Sequence, residues 1–197
     1  MSNEEHPAPT PHALPLPDKP SIAVLPFVNM SSDPILGVVY LWGKKQHEQA
    51  IAKGERTIAL DPNYADGYVS LGTALMFAGR PEEAIGLLGR AMRLNPYYPA
   101  TYLSMLGQAS RLTGQYEEGI AAYQRALSRN PNFLPAHLGR AIIFSESGRE
   151  GEARAAAAEI LRVSPNYSLE VARQRIPFKD PAVLECTLAN LRKAGLK

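Results

Sequence analysis

Four kinds of residue in this sequence could do chemistry, and each is first judged by its spacing. Glu82 with Glu83 and Glu117 with Glu118 are adjacent carboxylates, the residue type that shares general acid and base work. Neighbours on a helix diverge by about 100°, however, so neither pair can converge on one substrate atom. The histidines His6, His12, His47 and His137 never fall at metal-ligand spacing, and no HExxH occurs. Cys186 is the only cysteine, which excludes an internal disulfide and a Cys-based zinc site. Without a nearby histidine or a CxxC partner its thiol is read as inert. Ser31 and Ser32 belong to a polar turn with no GxSxG setting, and no glycine cluster forms a P-loop or follows a strand as GxGxxG. The expectation is a protein that is not an enzyme and has no metal and no cofactor.

Bulk properties narrow the partners. Of 197 residues, 45% are hydrophobic and 20% charged, a globular balance, and the length fits one domain with an appendage. The 21 basic and 19 acidic residues leave a formal charge of +2, too balanced to imply nucleic acid or an anionic membrane as partner. No uncharged apolar run approaches the roughly 18 residues of a membrane span. The opening MSNEEHPAPT carries acids where an export signal has basic and apolar residues, so a cytoplasmic protein is expected.

The elements that must position these residues follow from proline and hydrophobic period. Pro7, Pro9, Pro11, Pro15, Pro17, Pro20, Pro26 and Pro34 are 8 of the 17 prolines, so the first 34 residues cannot be helical. Residues 1–20 read as a disordered Pro-rich linker. The run SIAVLPFVNM, residues 21–30, reads as one strand-like segment ending in a turn by residue 34, with Pro26 pointing to an edge position or a break. Left bare, such a run is an aggregation hazard, so it is expected to dock on the first helix or in a groove.

From Ile35 the pattern repeats. LDPNYADGY, LNPYYPATY, RNPNFLPAH and VSPNYSLEV place Pro62, Pro96, Pro131 and Pro165 in register, at spacings of 34, 35 and 34. Between them recur GRPEEAIGLLGRAM, GQYEEGIAAYQRAL and GREGEARAAAAEIL. In the clearest unit Tyr68, Leu71, Gly72 and Leu75 share one face of a first helix, and Gly79 ends it in a left-handed turn. Pro81, Glu82 and Glu83 open a second helix, the carboxylates facing its positive end, and Ala84, Leu88 and Ala91 form its packing stripe. Proline then stops the unit.

This pattern closely resembles the tetratricopeptide repeat. The second good unit carries Leu106, Gly107, Gly114, Tyr123, Ala126 and Pro131, with Ser110 and Gly119 at positions usually large and alanine. Its extra residue is expected in the YYPA turn. The third carries His137, Ala141, Phe144, Gly148, Ala153, Ile160 and Pro165, with Arg140 in place of leucine and His137 in the packing place of Tyr68. The first unit is degraded: Leu36, Gly37, Tyr40, Ala50 and Pro62 fit, but one residue too many separates Tyr40 from Ala50, and Gly43 is taken as the insert. The resemblance implies an all-α right-handed α-α superhelix over residues 35–167, in units 35–62, 63–96, 97–131 and 132–165, preceded by the Pro-rich arm. Residues 168–197 are expected to close it. Ser168–Gln174 reads as a short helix and Ile176–Asp180 as a break. A final helix capped by Asp180, with Pro181 first, carries an inner stripe of Val183, Leu184, Leu188 and Leu191, and Gly195 ends it.

A second resemblance involves the two ends. DKPSIAVLPFVNMSSDP is similar to the start of the TolB-like region that precedes tetratricopeptide repeats in a group of bacterial class III adenylate cyclases, and FKDPAVLECTLANLRKAGL to the carboxyl terminus of the same proteins. No cyclase catalytic segment is present.

Superhelical geometry assigns the binding surface to the concave face, lined by first helices. That face is expected to hold Val69, Thr73 and Met76, then Ser104, Gln108 and Arg111, then Leu138, Ile142 and Ser145. Gln108 would read the backbone of a bound peptide, and Arg111 would pair one of its carboxylates. The family's clamp for chaperone tails has Lys and Asn at places where this chain has Val69 and Thr73, so that ligand is not expected. Three readings follow: a non-enzymatic scaffold binding a protein or peptide partner, a regulatory fragment acting on a class III nucleotidyl cyclase, or a remnant of such a protein.

Overall fold

The computed structural model describes residues 39–197, with side chains from Tyr40 onward. The Pro-rich linker, the strand-like run 21–30 with its expected docking, the TolB-like start, Leu36 and Gly37 lie outside the described residues. So do His6, His12, Ser31 and Ser32.

Among the described residues there are nine α-helices. They are α1 (His47–Leu60), α2 (Ala65–Phe77), α3 (Pro81–Leu94), α4 (Ala100–Leu112), α5 (Tyr116–Arg129), α6 (Leu134–Glu146), α7 (Glu150–Val163), α8 (Leu169–Arg175) and α9 (Pro181–Lys193). Helices α2 with α3, α4 with α5 and α6 with α7 form antiparallel pairs, and these stack in order as a right-handed superhelix. The first helices α2, α4 and α6 touch one another along the inner layer.

The turn inside each pair is the same device. Gly79, Gly114 and Gly148 sit at φ +92°, +76° and +75°. Just after each, the amides of Arg80, Gln115 and Arg149 donate to the carbonyls of Leu75, Ser110 and Phe144, five residues back. This is the glycine-terminated helix end, in which a left-handed residue redirects the chain and satisfies a terminal carbonyl. The degraded first unit uses a variant of it. Val39–Gly43 form a π-helical turn, Lys45 takes the left-handed place at φ +52°, and the Gln46 amide reaches the Tyr40 carbonyl, six residues back. The surplus residue is absorbed in a wider turn. The other surplus residue lies where expected: α4 starts four residues after Pro96, whereas α2 and α6 start three after Pro62 and Pro131.

The packing stripes are buried as their spacing dictates. Tyr68, Leu71 and Leu75 of α2 meet Ala84, Leu88 and Ala91 of α3, all at 5% exposure or less. His137 takes over a duty of Tyr68 as well as its place. The Tyr68 hydroxyl donates to the Pro62 carbonyl at 2.9 Å, and His137 Nε2 donates to the Pro131 carbonyl at 2.8 Å, so each ties a first helix to the preceding proline turn. Gly119 stands in the alanine place because a methyl there would lie 2.8 Å from Ile143 Cδ1 and 3.1 Å from the Gly107 carbonyl. In the first turn of α3 Glu83 pairs with Arg80 just before the helix, and in α7 Glu152 does the same with Arg149.

Candidate interaction surface

The inner layer is where the chain departs most from expectation, because its own carboxyl-terminal segment lies on it. Helix α8 continues the stack: Ser168 caps it, and Leu169 and Ala172 enter the core with Ile160. The chain then leaves helical conformation, with extended dihedrals at Ile176 (φ −69°, ψ 123°) and a bend at Lys179 and Asp180; the Asp180 carboxylate accepts from the Ala182 amide at 2.8 Å and starts α9. Helix α9 packs against the inner face of α6 as well as against α8. Residues 168–197 therefore do more than the expected end cap. Ile176 and Phe178 are apolar residues in a stretch that Pro177 keeps out of helix, and they gain burial by crossing the first helices.

The extended stretch is held at the far end of the inner layer. The Lys179 amide donates to the Phe77 carbonyl at 2.9 Å. His47 Nε2 lies 2.5 Å from the Pro177 carbonyl; since a carbonyl only accepts, that nitrogen carries the proton. The Phe178 ring sits 4.9 Å from the Phe77 ring at 58°, and Phe77 in turn meets Trp42 edge-on at 5.2 Å. Lys179 Nζ pairs with Glu48 at 2.7 Å, and this contact holds the Glu48 carboxyl below the usual carboxylate range.

Nine residues were expected to line an open groove. Met76, Ser104, Arg111, Ile142 and Ser145 are instead buried, and Val69, Thr73, Gln108 and Leu138 are half-buried. Arg111 has its carboxylate already, from within: Nη1 bonds Glu146 at 2.6 Å, with both side chains nearly sequestered, while Nη2 donates to Thr187 of α9 at 3.2 Å. Asn190 of α9 completes the cluster, accepting from the Ser145 hydroxyl at 3.1 Å and donating to Glu146 at 3.3 Å. Gln108 does not face a free groove either; its Oε1 accepts from the buried Tyr123 hydroxyl at 3.2 Å. Ser104, Gln108, Leu138 and Ile142 share a cleft of about 120 Å³ with Ile176 and Phe178 of the stretch 176–179 (the strap) and with Thr187 of α9. Met76 borders a second, of about 230 Å³, with Phe77, Leu112, Phe178 and Val183. Val69 packs among Leu71, Tyr68 and their neighbours, within the helix stack.

The residues that spacing missed are His47, Glu48, Phe77, Glu146, Thr187, Asn190 and the stretch 176–179. The available signal was the break IPFKD itself, in which two large apolar side chains interrupt a helical region and must be buried somewhere. Of the residues first weighed for chemistry, Cys186 is exposed and Glu82 and Glu118 point to solvent. Among the described residues no group of His, Cys, Asp and Glu is placed to hold a metal ion, and no helix is long and apolar enough to cross a membrane.

Comparison with known proteins agrees with this architecture. Two sequence models of the tetratricopeptide repeat match, over residues 69–135 and 111–173, together more than half of the chain. No curated protein sequence matches. Among solved structures, a thermophilic TPR protein from Thermus thermophilus, TTC0263, superposes with a TM-score of 0.61 at 20% identity, over 82% of this chain and 84% of that one. PilF of Pseudomonas aeruginosa gives 0.60 at 18% identity, over 83% and 75%. YrrB, described as a TPR protein with an unusual peptide-binding site, gives 0.53 at 21% identity, over 83% and 85%. At these identities the likeness concerns the fold.

Proposed function

Since this chain belongs to the tetratricopeptide repeat proteins, we propose that it is a non-enzymatic scaffold that binds a protein or peptide partner on the inner face of its superhelix. One observation carries the reading: that face already seats an extended peptide stretch, Ile176–Lys179, through a main-chain hydrogen bond, an aromatic contact and an ion pair. A surface that binds peptide in cis has the donors, acceptors and apolar depth to bind it in trans.

The test is co-capture from the native host on the full chain, on a double variant carrying Val69→Lys and Thr73→Lys, and on a variant with charge changes on the outer helices. Val69 and Thr73 are half-buried first-helix residues, and because Val69 also packs against the helix stack, the double variant is used only once circular dichroism shows it folded. A partner lost with the double variant and kept by the outer-face variant supports the reading. A partner kept by the double variant and lost by the other sinks it.

The alternative, a regulatory fragment of a class III nucleotidyl cyclase system or a remnant of such a protein, rests on the likeness of residues 178–196 and of the amino-terminal stretch to those proteins. It predicts a nucleotidyl cyclase as the captured partner, with its activity changed on adding this chain.

A further inference from the structure

The seat beneath Ile176–Lys179 has a definite chemistry. Phe77 is the last residue of α2, so its carbonyl has no partner within the helix and depends on an incoming amide. His47 Nε2–H, at the start of α1, offers one donor to an incoming carbonyl. The Glu48 carboxylate beside it selects a cation. Between these points lies an aromatic slot, floored by Phe77 and walled by Met76, Pro81 and Leu112. The occupant meets each requirement in sequence. Ile176 is aliphatic and half-buried. Pro177, which has no amide to leave unpaired, presents its carbonyl to His47, and Phe178 packs on Phe77 and forms one wall of the slot. Lys179 gives its amide to Phe77 and its ammonium to Glu48.

The fit is incomplete. Clefts of about 230 and 120 Å³, both partly open to solvent, border Phe178. The strap is thus a peptide laid in a groove wider than itself. It is tied to the helices beneath it by one backbone-to-backbone hydrogen bond, the His47 contact to the Pro177 carbonyl and one ion pair, and Lys179 and Asp180 are exposed.

We propose that this seat is a recognition site for an extended partner segment of the form aliphatic–Pro–aromatic–basic, and that Ile176–Lys179 is its resident occupant, which the partner displaces. The proposal rests on the inner face being the partner-binding face and names the class of partner. Proline pre-orders the segment in an extended form and so lowers the ordering cost of binding. Tethering gives the resident segment an effective concentration of about millimolar, so an outside peptide competes poorly until the strap is loosened.

The probe is a dye-labelled peptide of residues 175–180, Arg-Ile-Pro-Phe-Lys-Asp, titrated against full-length chains by fluorescence anisotropy. Two variants loosen the strap independently: Phe178→Ala removes the ring packed on Phe77, and the exposed Lys179→Glu sets two carboxylates against each other without touching the core. Both should stay helical by circular dichroism, and both should bind the peptide at least tenfold more tightly than the unmodified chain does. Replacing the peptide's Phe by Ala, or its Lys by Glu, should weaken binding at least tenfold. Absence of saturable binding to a folded Lys179→Glu variant, or equal binding of a scrambled peptide, overturns the proposal. If the peptide fails while a captured partner is still lost with the Val69→Lys, Thr73→Lys variant, the scaffold reading stands and only this class of partner falls. Peptide binding together with a partner that ignores that variant has the opposite meaning.

Discussion

The phenol ring of Tyr123 lies directly on the α-carbon of Gly139: a methyl group on that glycine would sit 2.0 Å from Cζ and 2.3 Å from the hydroxyl. On its other side the ring faces Gly107, where a methyl would come within 2.9 Å. Tyr123 is 1% exposed and bridges α5 to both α4 and α6, so this wedge sets how closely successive repeats stack. Gly139→Ala is expected to cost about 3 kcal/mol through overpacking. Tyr123→Leu should recover part of that loss in the double variant, which urea unfolding of the three proteins would measure. Equal stability of Gly139→Ala and the unmodified chain would mean that the repeats can separate freely.

Arg111 and Glu146 form an ion pair with side chains only 4% and 12% exposed; Thr187 and Asn190 add hydrogen bonds to it, and Arg111 Nε is buried without a partner. Removing one partner leaves a buried charge alone. Arg111→Leu or Glu146→Leu should each destabilise by about 3 kcal/mol, while the double change should cost less than either single one. Additive losses in the double-mutant cycle would show that the pair is not coupled.

Lys45 occupies the left-handed turn position that glycine fills in the three regular repeats. A side chain there is strained by about 1 kcal/mol, so Lys45→Gly should stabilise the first repeat by roughly that amount. The gain should appear as slower amide exchange in α1. A loss of stability would mean that glycine's greater freedom in the unfolded chain outweighs the relieved strain.

Burial raises the phenols of Tyr102 and Tyr123 above their ordinary value, with Asp66 adding to the effect at Tyr102, and burial pushes Tyr167 up to about 12. A folded-state value above the unfolded one means a contribution that is complete below the unfolded phenol value and is lost as pH rises through the folded one. Stability to urea should therefore hold up to about pH 10 and fall above it. Tyr123→Phe should shrink that fall, and an alkaline loss unchanged by it would exclude Tyr123 as a cause.

Glu48 shifts the other way, because it accepts a hydrogen bond from Lys179. Its folded-state value is depressed, so the tie to the strap is present above the ordinary carboxylate range and lost below it. Protection of the Lys179 amide against exchange should be level from pH 5 to 8 and decline as pH falls below about 4. A protection factor that tracks the global unfolding curve at every pH would show that the strap does not open separately.

By itself the sequence determined the repeat. Proline stops at fixed spacing, glycines that accept a left-handed turn, and apolar stripes at helical period are local or near-neighbour requirements, so each is written within about 35 residues of where it acts. That is why Ala84, Leu88, Ala91 and Gly79 could be placed from spacing alone, and why the surplus residues near Gly43 and in the YYPA turn were visible as breaks in register. Only the tertiary structure decided what covers the inner face. The contacts of His47 with Pro177, Phe77 with Lys179, and Arg111 with Thr187 join residues 76 to 130 positions apart. No periodicity encodes such a pairing. It follows from the curvature of the stacked helices and from the need to bury Ile176 and Phe178, apolar residues that Pro177 denies a place in a helix.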